Sequence, residues 1–155
     1  MLHTGTTKWH RPLWVLVGMI VVADQLTKAV SSRLGTHAHL VPMRNHALSL
    51  ELIDGNRWVE TAGMVAGLAV AVALLLPPVR SGRVSVLAAA LLLGGAISNL
   101  LDRAVTGSVR DFVPIGPVVI NVADVAVLTG VIGIAAALLT HLGGVSRSPS
   151  HAQRR

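Results

Sequence analysis

The chain has 155 residues, of which 52% are hydrophobic and 13% charged, with no cysteine and a formal net charge of +6. So apolar a composition excludes an ordinary soluble domain and points to an integral membrane protein. The absence of cysteine excludes disulfides, thiolate nucleophiles and thiolate metal sites, so any chemistry must come from carboxylates, amides, hydroxyls, histidines or bases.

Lys8 and Arg11 precede a first apolar segment at about 13–30. A secretory signal has a similar outline, but Asp24 and Lys28 lie within this segment and no small-residue cleavage site follows, so it is expected to be retained as a helix. In "ADQLTK", Asp24 and Lys28 stand four residues apart on one helical face. That spacing suits either a structural ion pair near a membrane end or a contact to a ligand. The next connection contains "HLVPMRNHALSLELIDGN". The imperfect alternation of "ALSLELI", ending in Asp54 and Gly55, suggests a short hairpin or interfacial strand pair. His37 and His39 lie there without a third obvious ligand, and no His-Glu-x-x-His motif occurs, so no metal is expected.

A second helix at about 58–77 leads into "PPVRSGR", a short, breaker-rich connection that makes helices two and three antiparallel neighbours. Helix three, at about 84–104, carries "GGAISNLLDR": two glycines that permit close helix contact, then Asn99, Asp102 and Arg103 on one face. The following "VTGSVRDFVPIGP" holds two glycines and two prolines, cannot be a continuous helix, and bears Asp111. A fourth helix, at about 118–142, contains "NVAD", where Asn121 and Asp124 share a face. A carboxylate inside a membrane costs about 2.5 to 3.5 kcal/mol on insertion scales, which makes Asp124 the foremost candidate for function. The basic tail, 143–155, is expected to be disordered.

Each apolar segment is long enough to cross a hydrocarbon layer of roughly 30 Å at about 1.5 Å per residue. The expected fold is therefore all-α, a single domain over 1–142 with four transmembrane helices and a small β or loop element between helices one and two. Lys8, Arg11, Arg80, Arg83, Arg147, Arg154 and Arg155 all fall on one side of such a topology, with no acid among them. This side is expected to be cytoplasmic and to hold both termini. The charge is thus membrane topology rather than a nucleic-acid footprint. Every carboxylate then falls in the outer loops or the outer halves of helices, which predicts a polar site at the outer face.

Two carboxylates brought together share one proton, because like charges about 3 Å apart do not readily both ionise. One then serves as general base on a water while the other, protonated, serves as acid toward a scissile carbonyl. Asp111 and Asp124, thirteen residues apart across a Pro/Gly turn, make such a dyad feasible. A Ser/His protease fares worse, since the one helical candidate, His141, lies at the opposite end. A proton-linked carrier has little room for alternating access in four short helices without a repeat.

Taken in order, "ADQLTK", "GGAISNLLDR", "VRDFVPI" and "NVADVAV" resemble the motifs of the lipoprotein signal peptidases, also called signal peptidase II, over about residues 24–127. The resemblance implies an aspartic endopeptidase of the bacterial inner membrane, without cofactor, its site on the extracytoplasmic face. Its substrates would be lipid-modified prolipoproteins cut before the diacylglyceryl-modified cysteine, its surroundings membrane lipids, and its state a monomer. The family's catalytic pair falls on Asp111 and Asp124. Asp24, Lys28, Asn99, Arg103 and Asn121 match positions that support the site or bind substrate, with Asp102 beside them. The first outer-loop motif departs: "NHALSL" keeps Asn45 but has Ala47 for the usual glycine and Leu50 for an aromatic. Ser98 also stands where the family commonly has glycine. These departures motivate an alternative, a non-catalytic paralogue that binds lipid or lipopeptide.

Overall fold

The computed structural model describes residues 9–34, 40–45 and 57–145. Four helices dominate: α1 (His10–Leu34), α2 (Arg57–Arg80), α3 (Val86–Thr106) and α4 (Val122–Val145). Each contains a span of 20 to 25 residues long and apolar enough to cross a membrane. Trp14, Met19, Val22, Leu26 and Val30 are exposed on α1, as are Val125, Leu128 and Ile132 on α4. Such a surface has its solvent in lipid, and the chain is a multi-pass membrane protein.

Helix α3 is the hub, packed against α1, α2 and α4. Small residues allow the approach: Ala88, Ala89 and Ala90 are buried, and a Cβ at Gly95 would lie 2.5 Å from the Ala123 carbonyl oxygen of α4. At Gly130 of α4, a Cβ would come equally close, 2.5 Å from the Leu92 backbone nitrogen. The bundle interior changes character along its length. At the end holding the α2–α3 turn it is apolar, with Leu13, Val17, Leu75, Val79, Val84 and Leu93 buried together. Toward the other end the inward stripe of α1 continues as Asp24, Lys28 and Ser31, all buried.

That second end carries four three-residue strands: β1 (Met43–Asn45), β2 (Val109–Asp111), β3 (Val113–Ile115) and β4 (Val118–Ile120). β1 pairs antiparallel with β2, Met43 opposite Asp111 and Asn45 opposite Val109. β3 and β4 form a hairpin closed by Gly116 at φ 59°. Phe112 joins the two ribbons, its N–H donating to Ile120 and its carbonyl accepting from Val41, both at 3.1 Å.

Several expected boundaries shift. Helix four begins at Val122, not 118, because Val118, Val119 and Ile120 are spent on β4. A short β-branched apolar run fits strand and helix alike, and pairing decides it. α2 runs through Pro77 and Pro78 to Arg80 instead of stopping at 77. The proline carbonyls are then satisfied from beyond the helix, Pro77 by Ser81 N–H at 3.0 Å and Pro78 by Arg83 N–H at 2.9 Å. α3 starts at Val86 behind Ser85, whose hydroxyl accepts the Ala88 N–H at 3.0 Å as an N-cap. The strand described between α1 and α2, β1, pairs with the later connection. The "ALSLELI" stretch, Ala47, Leu50, His37, His39 and the tail from 146 onward lie outside the described residues.

Candidate active site

The β3–β4 hairpin brings Asp111 and Asp124 together by folding the chain back, so that Asn121, just after β4, returns to Asp111 at the end of β2. The Asn121 side-chain amide donates to one Asp111 oxygen at 2.6 Å. Its side-chain oxygen accepts the Asp124 N–H at 2.9 Å, and its own N–H donates to Asp124 Oδ2 at 3.0 Å. A single residue thus touches both carboxylates. The other oxygens are taken in the same manner: Asn45 of β1 donates to Asp111 Oδ2 at 2.8 Å, and Asn99 of α3 donates to Asp124 Oδ1 at 2.8 Å.

Asp24 and Asp102 are held differently. Lys28, fully buried, spends its three N–H groups on Asp24 at 2.6 Å, Asp102 at 3.0 Å and the Asn99 side-chain oxygen at 2.9 Å. Asp24 also accepts the Ala123 N–H in the first turn of α4 at 2.8 Å and the Ser98 hydroxyl at 2.7 Å. Asp102 also accepts two bonds from Arg110, the guanidinium at 2.5 Å and the backbone N–H at 3.1 Å.

The four buried or half-buried carboxylates therefore divide. Asp24 and Asp102 are neutralised by cations in direct contact, so their burial is compensated. Asp111 and Asp124 are held by neutral amides, with no cation bonded to either among the described residues. Neutral donors orient a carboxylate without binding its charge to a fixed partner. That leaves the charge free for a proton, a water or a reacting carbonyl.

Of the residues singled out in the sequence, Asp24, Lys28, Asn45, Asn99, Asp102, Asn121, Asp111 and Asp124 form one connected network. Arg103 is buried on α3 beside it but makes no hydrogen bond or ion pair to it among the described residues. Asp24 and Lys28 do form an ion pair, and Lys28 directs its N–H groups to partners inside the protein. Two members were not singled out. Gln25 donates to Ser98 at 2.9 Å and Asp102 at 3.1 Å, and accepts from Arg110 at 2.5 Å. Arg110 could have been noticed by its place: on a strand that buries Asp111, period-two alternation turns its neighbour to the opposite side.

Comparison with known proteins bears on this arrangement. The profile of a family described as signal peptidase (SPase) II matches residues 16–140. A lipoprotein signal peptidase of Methylorubrum extorquens is 34% identical, the alignment covering 89% of this chain and 80% of that protein. One of Moorella thermoacetica is 32% identical over 89% of this chain and 99% of its own length. Two solved structures of bacterial membrane enzymes have the same fold, each with a TM-score of 0.70, at 23% and 22% identity. They are covered over 98% and 94% of their chains, against 90% and 92% of this one.

Proposed function

This chain belongs to the signal peptidase II family and is a peptidase, and we propose that it removes signal peptides from prolipoproteins as an aspartic endopeptidase, with Asp111 and Asp124 as its catalytic pair. The observation that carries the aspartic assignment is the bridging of both carboxylates by Asn121, with neutral donors alone, among the described residues, on their remaining oxygens.

The proposed chemistry needs one water and one proton. One carboxylate, ionised, takes a proton from the water as it attacks the scissile carbonyl carbon; the other, protonated, donates to the carbonyl oxygen. Collapse of the tetrahedral intermediate breaks the C–N bond, and the leaving nitrogen regains a proton from the pair. Asn99, Asn121 and Asn45 hold the carboxylates in place, while the Asp24–Lys28–Asp102 cluster ties α1 to α3 and α4 beneath them. The substrate's acyl chains lie in lipid, and its peptide reaches the dyad at the strand-bearing end. By the distribution of bases, that end faces away from the cytoplasm in the bacterial inner membrane, with both termini inside and the domain over 1–142 acting as a monomer.

The test is incubation of the purified protein with a diacylglyceryl-modified prolipoprotein, following release of the signal peptide. Cleavage before the lipidated cysteine that disappears in Asp111→Asn and Asp124→Asn supports the reading. Full activity in both variants overturns the dyad. Binding of the lipopeptide by wild type without any product would instead favour the non-catalytic paralogue.

A further inference from the structure

Asp111 ends a strand of three residues whose only ladder partner among the described residues is another strand of three. So short a two-stranded ribbon has little stability of its own. It also sets two arginines directly opposite each other, Arg44 against Arg110, a cross-strand pairing that weakens it further. Something other than the ribbon must fix where Asp111 stands.

Arg110 supplies the attachment. Its backbone N–H and its Nη2 grip the two oxygens of the Asp102 carboxylate, at 3.1 and 2.5 Å, and Nη2 also donates to Gln25 Oε1 at 2.5 Å. β2 is thereby fastened at once to α3 and α1. Asp102 in turn shares Lys28 with Asn99, one helical turn earlier on α3, and Asn99 holds Asp124. The anchor of one catalytic carboxylate and the holder of the other sit on the same helix and on the same lysine.

We propose that Arg110 is the positioning residue that holds Asp111 in register with Asp124, by clamping β2 to Asp102 and Gln25. It touches no reacting atom and acts through the backbone it shares with Asp111. The inference rests on the dyad reading above. Both side-chain contacts come from one nitrogen, Nη2, so a lysine ammonium that reached the same place would replace part of the clamp.

The experiment compares cleavage of diacylglyceryl-modified prolipoprotein by wild type, Arg110→Met, Arg110→Lys and Asp111→Asn, each corrected for folded protein by its unfolding transition. A misplacement near 1 Å in a reacting group costs about 100-fold in rate, so Arg110→Met should lose on the order of 10- to 100-fold in kcat. KM should stay within about threefold, because the proposal assigns Arg110 to holding Asp111 and not to holding substrate. Arg110→Lys should fall between the two, a partial rescue that a purely structural role does not give once folded protein is matched. Arg110→Met with wild-type kcat, in a preparation where Asp111→Asn is inactive, overturns the clamp and leaves the dyad standing. Loss confined to KM also overturns it. Wild type that leaves the substrate intact overturns the peptidase reading, and the clamp with it.

Discussion

Asn121 and Asp124 close the first turn of α4 on each other. The Asn121 side chain accepts the Asp124 N–H at 2.9 Å, and the Asp124 carboxylate accepts the Asn121 N–H at 3.0 Å. This is a capping box with aspartate in the third helical position. The carboxylate proposed for catalysis therefore also starts a helix, and the two duties are separable by substitution.

Asp124→Asn keeps an oxygen that accepts the Asn121 N–H but removes the acid–base function. Cleavage should fall by about 100- to 10,000-fold, the range for loss of a general acid or base. The cap should survive, with stability changed by no more than about 1 kcal/mol. Activity and thermal unfolding measured on the same detergent-purified sample check both halves. Parallel loss of fold and activity would mean that Asp124 is structural only.

Asn121→Asp separates the duties from the other side. Aspartate is as good an N-cap as asparagine, so α4 should start normally. The residue loses its donor to Asp111 and places a third carboxyl between the two others, so activity should drop at least as far as in Asn121→Ala. Asn121→Ala should in addition lose about 1 kcal/mol of stability, measurable as a lower unfolding midpoint. An Asn121→Asp variant as active as wild type would remove Asn121 from the site.

Lys28→Met leaves Asp24 and Asp102 buried without the cation they share. Breaking such a cluster by removing one member costs about 3 to 5 kcal/mol. Adding Asp24→Asn to Lys28→Met should recover part of that loss, because Asp102 keeps Arg110 while Asp24 is the charge left without a cation. A double-mutant cycle on unfolding shows this as a coupling between the two changes, and strictly additive losses would contradict it.

The glycines of the helices should differ by position. Gly95→Ala drives a methyl group to 2.5 Å from the Ala123 carbonyl, beside the first turn of α4, where neither backbone gives way easily. A cost of about 1 to 3 kcal/mol is expected, with reduced cleavage because Asp124 rides on that turn. Gly67→Ala in α2 meets nothing within 4 Å. There the better helix former should be neutral or stabilising by up to about 1 kcal/mol. Equal effects at both positions would contradict the packing described.

Much of this architecture could be read from the residues because membranes impose simple rules. Long apolar runs, the placement of bases and the i, i+3 and i, i+4 spacing of polar groups required four helices and brought Asp24, Lys28, Asn99 and Asp102 to shared faces. What escaped that reading was decided by pairing. Val118 to Ile120 are as apolar as the helix they precede, and only the β3 partner makes them a strand. Arg110 looked like an ordinary neighbour of Asp111 until β2 had a side facing Asp102. Ser98, a departure from the common glycine, gains its meaning from the Asp24 oxygen it donates to at 2.7 Å, a contact no spacing rule predicts.

The first turn of α4 also governs how this sequence can drift. Asp24, Asn121 and Asp124 each close a hydrogen bond of that turn, and Asn121 and Asp124 also belong to the arrangement proposed for catalysis. At Asn121 and Asp124 only a swap between aspartate and asparagine separates the two properties. A lineage under pressure at this site, from an inhibitor or a new substrate, has little freedom among them. Variation is displaced to the flank of the same helix that faces lipid, where Val125, Leu128 and Ile132 need only remain oily.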